Sequence, residues 1–329
     1  MMAGNISSEK IDLLVYGPNK PIVDNGFSDQ FVLHPAETRA DLDRLSPAVA
    51  AKIRGAAVTY STARCDAGVM ELFPKLEIVS SFGVGYDHVD AKYASEHKIV
   101  VTNTPDVLTE EVADIALGLL IATLREFIKA DRYLRSGLWT TQQFPLSVGS
   151  LRDRKVGMVG MGRIGQAIGR RLEASKVPVV YHSRNPAPGV SYQHYPDLIE
   201  MAKAVDTLVV IVPGGPSTAK MVNADVMKAL GPRGVIINVA RGSVIDEVAM
   251  IAALKSGAIL AAGLDVFANE PAVPDELKAM QNVVLLPHIG SASVVTRNAM
   301  DQMVVDNLKT WFAGKPPLTP IAETPVTSR

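Results

Sequence analysis

Short runs of β-branched and aliphatic residues, bounded by turn formers, alternate along this chain with stretches whose apolar positions recur at helical spacing. In the first hundred residues the runs fall at 11–16, 30–34, 56–60, 77–80 and 99–102, separated by polar, helix-compatible segments such as 39–52 and 67–73. They predict a five-stranded α/β unit. A second series begins at Lys155, with runs at 155–159, 178–182, 207–212, 235–239, 260–265 and 283–286. Six strands with intervening helices is the count of a doubly wound parallel sheet built from two halves.

Between the two series, residues 109–140 place Val112, Ile115, Ala116, Leu119 and Leu120 at helical spacing, with Glu110, Glu111 and Asp114 in the first turns, where the helix dipole favours anions. The pattern predicts one long helix followed by an arm. After the sixth run, residues 291–312 return to helical periodicity through Val294, Val295, Ala299, Met303, Leu308, Trp311 and Phe312, stopping before Gly314 and Pro316-Pro317. With the second series complete, this helix is free to pack on the first unit. The expected organisation is therefore a first domain of residues 1–106, completed by 292–329, with a second domain, 107–291, inserted in it. The tail 319–329 reads as loose.

The length, 329 residues, agrees with two domains, and 47% hydrophobic with 20% charged residues is the balance of a folded globular chain. Thirty-three Lys and Arg against 34 Asp and Glu leave a formal charge of -1, so no global field exists to hold nucleic acid or an anionic membrane. One cysteine, Cys65, can form neither an internal disulfide nor a zinc cluster. It is read as a packing or surface residue, and no metal is expected. Residues 1–10 lack a basic segment followed by an apolar core, and the greasiest stretch, 112–122, contains Asp114 and Gly118. A cytoplasmic protein whose N-terminus folds directly, without a membrane span, is the expectation.

Candidate chemistry starts at Gly160-Met161-Gly162-Arg163-Ile164-Gly165, a G-x-G-x-x-G that directly follows an apolar run and opens the helical stretch 166–173. Gly160 can make a tight turn, Gly162 can let backbone N–H groups approach a pyrophosphate, and Gly165 can let the helix pack closely on the strand. This predicts a dinucleotide-binding Rossmann domain. An NAD site places Asp or Glu about twenty residues on, to bond the ribose hydroxyls, yet no acidic residue occurs from Ala174 to Pro196. The strand end carries Ser183-Arg184-Asn185 instead, and a guanidinium suits a ribose phosphate. NADPH is the expected cofactor, with NADH a weaker alternative.

Three polar residues each follow an apolar strand on the side where α/β sheets bind ligands: Arg241, Glu270 and His288. Carbonyl reduction needs a proton donor near neutrality, an anchor for a carboxylate or developing oxyanion, and a hydride source. His288 supplies the first and Arg241 the second, while Glu270 beside the imidazole favours its charged form. His34, His88, His97, His182 and His194 read as structural.

These segments, with Ile237-Asn238-Val239-Ala240-Arg241-Gly242, Gly263-Leu264-Asp265-Val266-Phe267, Glu270-Pro271 and Leu286-Pro287-His288-Ile289-Gly290, resemble the serial motifs of the D-2-hydroxyacid dehydrogenase family. Upstream, residues 81–90 and Thr102-Asn103-Thr104-Pro105 resemble its substrate-domain motifs, so the similarity runs from about residue 10 to 320. Within the family the chain is most similar to NADPH-using glyoxylate/hydroxypyruvate reductases and to hydroxyphenylpyruvate reductases. The resemblance implies a Rossmann domain inserted in a flavodoxin-like substrate domain. It also implies that Arg241 holds the substrate carboxylate and carbonyl, that His288 donates the proton, that Glu270 tunes it, and that Val84 and Gly85 offer backbone N–H groups to the carboxylate. By the same resemblance Gly160, Met161, Gly162, Arg163 and Ile164 line the pyrophosphate, and Pro213 and Val239 the nicotinamide half. Asp265 stands beside the carboxamide, Ser183, Arg184 and Asn185 hold the 2'-phosphate, and Thr218 is a further phosphate contact.

Family members dimerise through a helix and arm like residues 109–150, which implies a homodimer. The chain departs from some glyoxylate reductases at Gln142, where they carry a second tryptophan three residues after the one corresponding to Trp139. The expected reaction is NADPH-dependent reduction of a small 2-oxoacid, glyoxylate or hydroxypyruvate, to glycolate or D-glycerate. Two alternatives stand beside it: a bulkier 2-oxoacid such as hydroxyphenylpyruvate, and an NAD(P)H-sensing binding module without significant turnover.

Overall fold

A computed structural model describes residues 10–60, 63–324 and 326; the expectation for the N-terminal segment falls largely on residues 1–9, outside that range. Contacts divide the chain into two units, one running to Leu108 and resuming at Ser293, the other Thr109–Ala292. The first unit holds five strands, β1 (Ile11–Tyr16), β2 (Phe31–Ala36), β3 (Ile53–Val58), β4 (Ile78–Ser81) and β5 (Val100–Thr102). They form one all-parallel sheet in the order β2-β1-β3-β4-β5. A parallel sheet covered on both faces buries every residue of its inner strands, which is why β4 reads as a continuous run rather than an alternation. The strand order reverses between β1 and β3, and because the sheet is all parallel the loops after β3, β4 and β5 leave the same carboxyl edge as that switch point.

The helix Val294–Phe312 belongs to this unit; Leu308 and Trp311 are buried as their periodicity suggests, but the buried face of its first turns is not the one marked by Val294 and Val295. Val294 and Val295 are 76% and 79% exposed, whereas Thr296, Met300, Val304, Leu308 and Trp311 are buried. The buried stripe advances by three or four residues and starts from a threonine, which an apolar count passes over. Lys20 reaches Asp301 on this helix at 3.1 Å and lies 3.8 Å from the centre of the Phe82 ring. Burial is the leading influence on both partners, lowering the Lys20 pKa and raising that of Asp301, so the pair orients the helix more than it stabilises it.

The tail expected to be loose is held as far as Thr324. Ile321 N–H donates to the Val101 carbonyl, Val101 N–H donates to Thr324 Oγ1, and both Ile321 and Thr324 are buried. Cys65 is buried as well, and burial pushes its thiol up to about 12, which makes it an inert packing residue.

The second unit contains seven strands where six were expected: β6 (Val156–Val159), β7 (Val179–His182), β8 (Gln193–Tyr195), β9 (Thr207–Val210), β10 (Val235–Asn238), β11 (Ala261–Leu264) and β12 (Val283–Leu285). Their order, β12-β11-β10-β9-β6-β7-β8, is the Rossmann order with a seventh strand beyond the sixth. The missed strand, β8, pairs only with β7 at the sheet edge, and its Gln-His-Tyr sequence carries no apolar signal.

The long helix expected over 109–140 is interrupted. It runs Thr109–Leu124, turns at Glu126 in the left-handed region (φ +52°), resumes as Phe127–Arg135 and ends in one 3-10 turn, Leu138–Thr140. Glu110 and Asp114 pair with Arg171 on the helix Arg163–Ala174, each at 2.7 Å, rather than serving the dipole alone. Among the described residues no helix is long and apolar enough to cross a membrane.

The face of the C-terminal helix is testable by chemical denaturation. Met300→Ala is expected to cost about 2–5 kcal/mol as a buried truncation, and Val295→Ala to stay within about 0.5 kcal/mol. The reverse ranking would mean that the helix packs on its other face.

Candidate active site

The turn after β6 is built for a phosphate. Gly160 has φ +107°, and a Cβ there would lie 2.8 Å from the Ile211 carbonyl oxygen; one at Gly165 would lie 2.6 Å from the Gly160 oxygen. At Gly162, the residue before the helix Arg163–Ala174, a Cβ would meet nothing within 4 Å. Two glycines are thus forced by the protein's own packing, and the third leaves open space at a helix N-terminus, where unpaired N–H groups attract an anion. These features fit the pyrophosphate of a dinucleotide. The Met161 side chain is buried in the core, so only its backbone is available to a ligand, while Arg163 is exposed.

At the end of β7, Arg184 and Asn185 are exposed, and the Ser183 hydroxyl donates to the Asn185 carbonyl at 2.6 Å. With no carboxylate from Ala174 to Pro196, an exposed guanidinium at this strand end suits a ribose phosphate better than a bare ribose diol. The Thr218 hydroxyl donates to the Pro213 carbonyl at 2.7 Å, which leaves that side chain only lone pairs to offer a phosphate. Pro213 is exposed and Val239 is buried at the end of β10.

The loops after β10, β11 and β12 carry Arg241, Glu270 and His288. His288 has φ +54°, a left-handed backbone that a non-glycine residue keeps only when its surroundings impose it. Those surroundings are specific. Asp265, 2% exposed, accepts the N–H groups of Ile289 at 2.7 Å and Gly290 at 2.8 Å through its two carboxylate oxygens, while its carbonyl accepts His288 N–H at 2.9 Å. Burial raises the Asp265 pKa, against the two amides and the His288 charge, which lower it. His288 Nδ1 then lies 2.7 Å from Glu270 Oε2, and Glu270 Oε1 accepts Phe267 N–H at 3.0 Å. Burial alone would raise the Glu270 pKa; the hydrogen bond and charge of His288, the Phe267 amide and the charge of Arg241 outweigh it, and the net shift is downward. The Glu270 carboxylate therefore stays ionised, Nδ1 is engaged, and Nε2 is the nitrogen left to exchange a proton with a substrate.

Arg241 sits in extended backbone before the turn Gly242–Val244, with Nη1 donating to the Ala240 carbonyl at 2.8 Å. Gly242 is required by close approach, since a Cβ there would fall 1.8 Å from the carbonyl carbon of Phe267. The Arg241 loop and the Glu270 loop are thus packed backbone against backbone. Asn238, which ends β10 and takes no role from the sequence alone, supports the Arg241 turn. It is buried, donates to the Arg241 carbonyl and accepts Ala240 N–H, each at 3.0 Å, and so shapes the turn that presents Arg241. An amide-bearing residue at a strand end is the available signal for such a role.

In the first unit, the loop after β4 begins with Gly83 at φ +119°. The N–H groups of Val84 and Gly85 meet no acceptor among the described residues, and two successive free amides in a glycine turn form a nest for an anion. The five histidines read as structural all have partners: His34 faces Asp12, His88 faces Ser81, and His97, His182 and His194 face the carbonyls of Tyr93, Tyr195 and Ser183.

Residues 117–290 match the model of the family described as D-isomer specific 2-hydroxyacid dehydrogenase, NAD binding domain. The chain is 45% identical over 313 residues to a glyoxylate/hydroxypyruvate reductase A of Arabidopsis thaliana, covering 95% of this chain and 99% of the relative. It is 44% identical, with the same coverages, to a hydroxyphenylpyruvate reductase of Plectranthus scutellarioides. Among solved structures, an NADPH-dependent glyoxylate/hydroxypyruvate reductase from Sinorhizobium meliloti, in complex with NADP and malonate, superimposes with a TM-score of 0.91 at 52% identity. That match covers 98% of this chain and 99% of the other.

The depressed Glu270 pKa sets a pH signature. A carboxylate held below its ordinary range adds stability above that range and loses it as the pH falls through the depressed value. Glu270→Gln should therefore lower Tm most near neutrality, with the gap to the parent closing below about pH 4. A gap independent of pH would show that the Glu270 charge is not what the imidazole and the amide hold.

Proposed function

Because this chain belongs to the D-isomer specific 2-hydroxyacid dehydrogenase family, we propose that it is an NADPH-dependent reductase of small 2-oxoacids, converting glyoxylate to glycolate and hydroxypyruvate to D-glycerate. The observation that carries the reading is the Glu270–His288 pair at 2.7 Å, with Arg241 on the neighbouring loop. The imidazole, oriented through Nδ1 by Glu270, donates a proton from Nε2 to the carbonyl oxygen. The Arg241 guanidinium binds the substrate carboxylate and the carbonyl oxygen, fork to oxygen, and thereby polarises the carbonyl. The Val84 and Gly85 amides are further carboxylate donors.

The cofactor is held by the 160–164 turn and the N-terminus of the helix it opens, with Arg184 and its neighbours Ser183 and Asn185 on the ribose phosphate. Pro213 and Val239 would line the nicotinamide half and Asp265 would lie beside its carboxamide, whereas Thr218, whose hydroxyl donates to the Pro213 carbonyl, has no proton left for the phosphate contact expected of it. When bound, NADPH supplies the hydride that the carbonyl carbon receives. The fit rests on the open space at Gly162 and on the exposed guanidinium where an NAD site carries an acid.

A second reading keeps the mechanism and enlarges the substrate: a relative of 44% identity is named for hydroxyphenylpyruvate, and Gln142 replaces a bulky tryptophan of some glyoxylate reductases. A homodimer is part of the proposal. Of the eleven exposed large hydrophobic residues described, seven lie between Phe127 and Val148, among them Trp139 at 65% and Leu146 at 96% exposure. Such a concentration on one helix and its arm suits burial against a second copy. A cytoplasmic location agrees with the single, buried cysteine.

Steady-state oxidation of NADPH and NADH with glyoxylate, hydroxypyruvate and 4-hydroxyphenylpyruvate, in the parent and in Arg184→Ala, tests the cofactor and substrate readings together. The parent should favour NADPH and the two small acids. The variant should lose about tenfold or more in kcat/KM for NADPH, the worth of a charge-assisted contact, while NADH is spared. Equal losses for both cofactors would show that Arg184 does not read the phosphate, and preference for the aromatic acid would select the second reading.

A further inference from the structure

The nest at Val84 and Gly85 is aimed by residues outside its own loop. A trans peptide is planar, with its C=O and N–H pointing to opposite sides, so fixing a carbonyl fixes the direction of the next residue's N–H. Thr104 N–H donates to the Gly83 carbonyl at 2.9 Å, which orients the peptide carrying Val84 N–H. Asn103 Nδ2 donates to the Val84 carbonyl at 2.8 Å, which orients the peptide carrying Gly85 N–H. Thr104 Oγ1 also accepts Gly83 N–H at 3.0 Å. Both anion-facing amides therefore point away from the 103–104 segment, because that segment occupies their carbonyls.

Asn103 is itself fixed from the far end of the chain. Its N–H donates to the Thr319 carbonyl at 3.2 Å, and its carbonyl accepts the Thr319 hydroxyl at 2.6 Å. Thr319 is gripped in turn by Asn307, which is fully buried on the C-terminal helix: Asn307 Nδ2 donates to Thr319 Oγ1 at 2.9 Å and Oδ1 accepts Thr319 N–H at 3.0 Å. The opposite side of the loop is closed by Ser81 Oγ and His88 Nε2, 2.9 Å apart and buried.

We infer that Asn103, braced by Thr319 and Asn307, is a positioning residue for 2-oxoacid binding, setting the Gly85 amide toward the substrate carboxylate through the Val84 carbonyl. This rests on the reading of the Val84 and Gly85 amides as carboxylate donors. The asparagine does not touch the substrate; it supplies the one side-chain donor that keeps the peptide from rotating. Asp at this position has the same shape, but an ionised carboxylate cannot donate to the Val84 carbonyl and repels it.

The test compares the parent with Asn103→Asp, Asn103→Leu, Thr319→Val and Thr319→Ser, measuring KM and kcat for glyoxylate and hydroxypyruvate, NADPH affinity by fluorescence, and Tm. Both Asn103 variants should raise the oxoacid KM about tenfold or more with kcat and NADPH affinity little changed, the pattern of a lost interaction common to ground and transition states. Thr319→Val should raise KM less, and Thr319→Ser, which keeps the hydroxyl, should restore parental KM. Unchanged KM in folded Asn103 variants would overturn this inference and leave the proposed function standing. A fall in oxoacid and NADPH binding in proportion to Tm would also overturn it, because that is general loosening. A parent without 2-oxoacid turnover would overturn the proposed function itself, and the inference with it.

Discussion

The left-handed backbone of His288 is an unfavourable state for a side-chain-bearing residue, and the carboxylate of Asp265 is what maintains it. Burying that carboxylate raises its pKa, and its two amide bonds counter only part of the desolvation, so the net shift stays upward. With the turn fixed, Nδ1 reaches Glu270, and Glu270 is in turn fixed by the Phe267 amide. Gly290 belongs to the same device, since a Cβ there would lie 3.0 Å from Asp265 Oδ2. The Arg241 turn is locked against Phe267 by Gly242. Three loops from adjacent parallel strands thus carry Arg241, Glu270 and His288, with the turns around them fixed by hydrogen bonds and by close backbone packing.

In the proposed function, anion recognition relies first on backbone and only then on side chains. The proposed phosphate turn at 160–164 and the proposed carboxylate nest at Val84 and Gly85 use the same physics, backbone amides presented by glycine-containing turns at the carboxyl edges of parallel sheets. Amides are small, cannot change charge and are fixed by their peptide planes, so their direction depends on what holds the carbonyls. In the proposed function Arg184 and Arg241 add selectivity, since a fork distinguishes one oxyanion from another.

Much of this was legible in the sequence because parallel strands are buried on both faces and write themselves as apolar runs. All five strands of the first sheet and six of the second overlap such runs, though β3 starts three residues before the run at 56–60. Gln193–Tyr195 escaped because an edge strand of three polar residues writes no run. The C-terminal helix was legible, and so were Leu308 and Trp311 on its buried face, but not the rest of that face, which includes Thr296, Asp301 and Asn307 while Val294 and Val295 face solvent. Arg241, Glu270 and His288 stood out because each ends a strand. Asn103 and Thr319 lie 216 residues apart and Asn238 acts within a local turn, so the supports of the site became visible only when the fold brought their partners together.

The central claim is that His288, oriented by Glu270, gives the carbonyl oxygen its proton. The most direct measurement is the rate of NADPH oxidation with hydroxypyruvate near neutral pH in the parent and in His288→Ala, with NADPH binding followed in both. Turnover lower by about 100-fold or more, with cofactor affinity retained, is the predicted result. Near-parental turnover in the variant would contradict the assignment and require another proton donor.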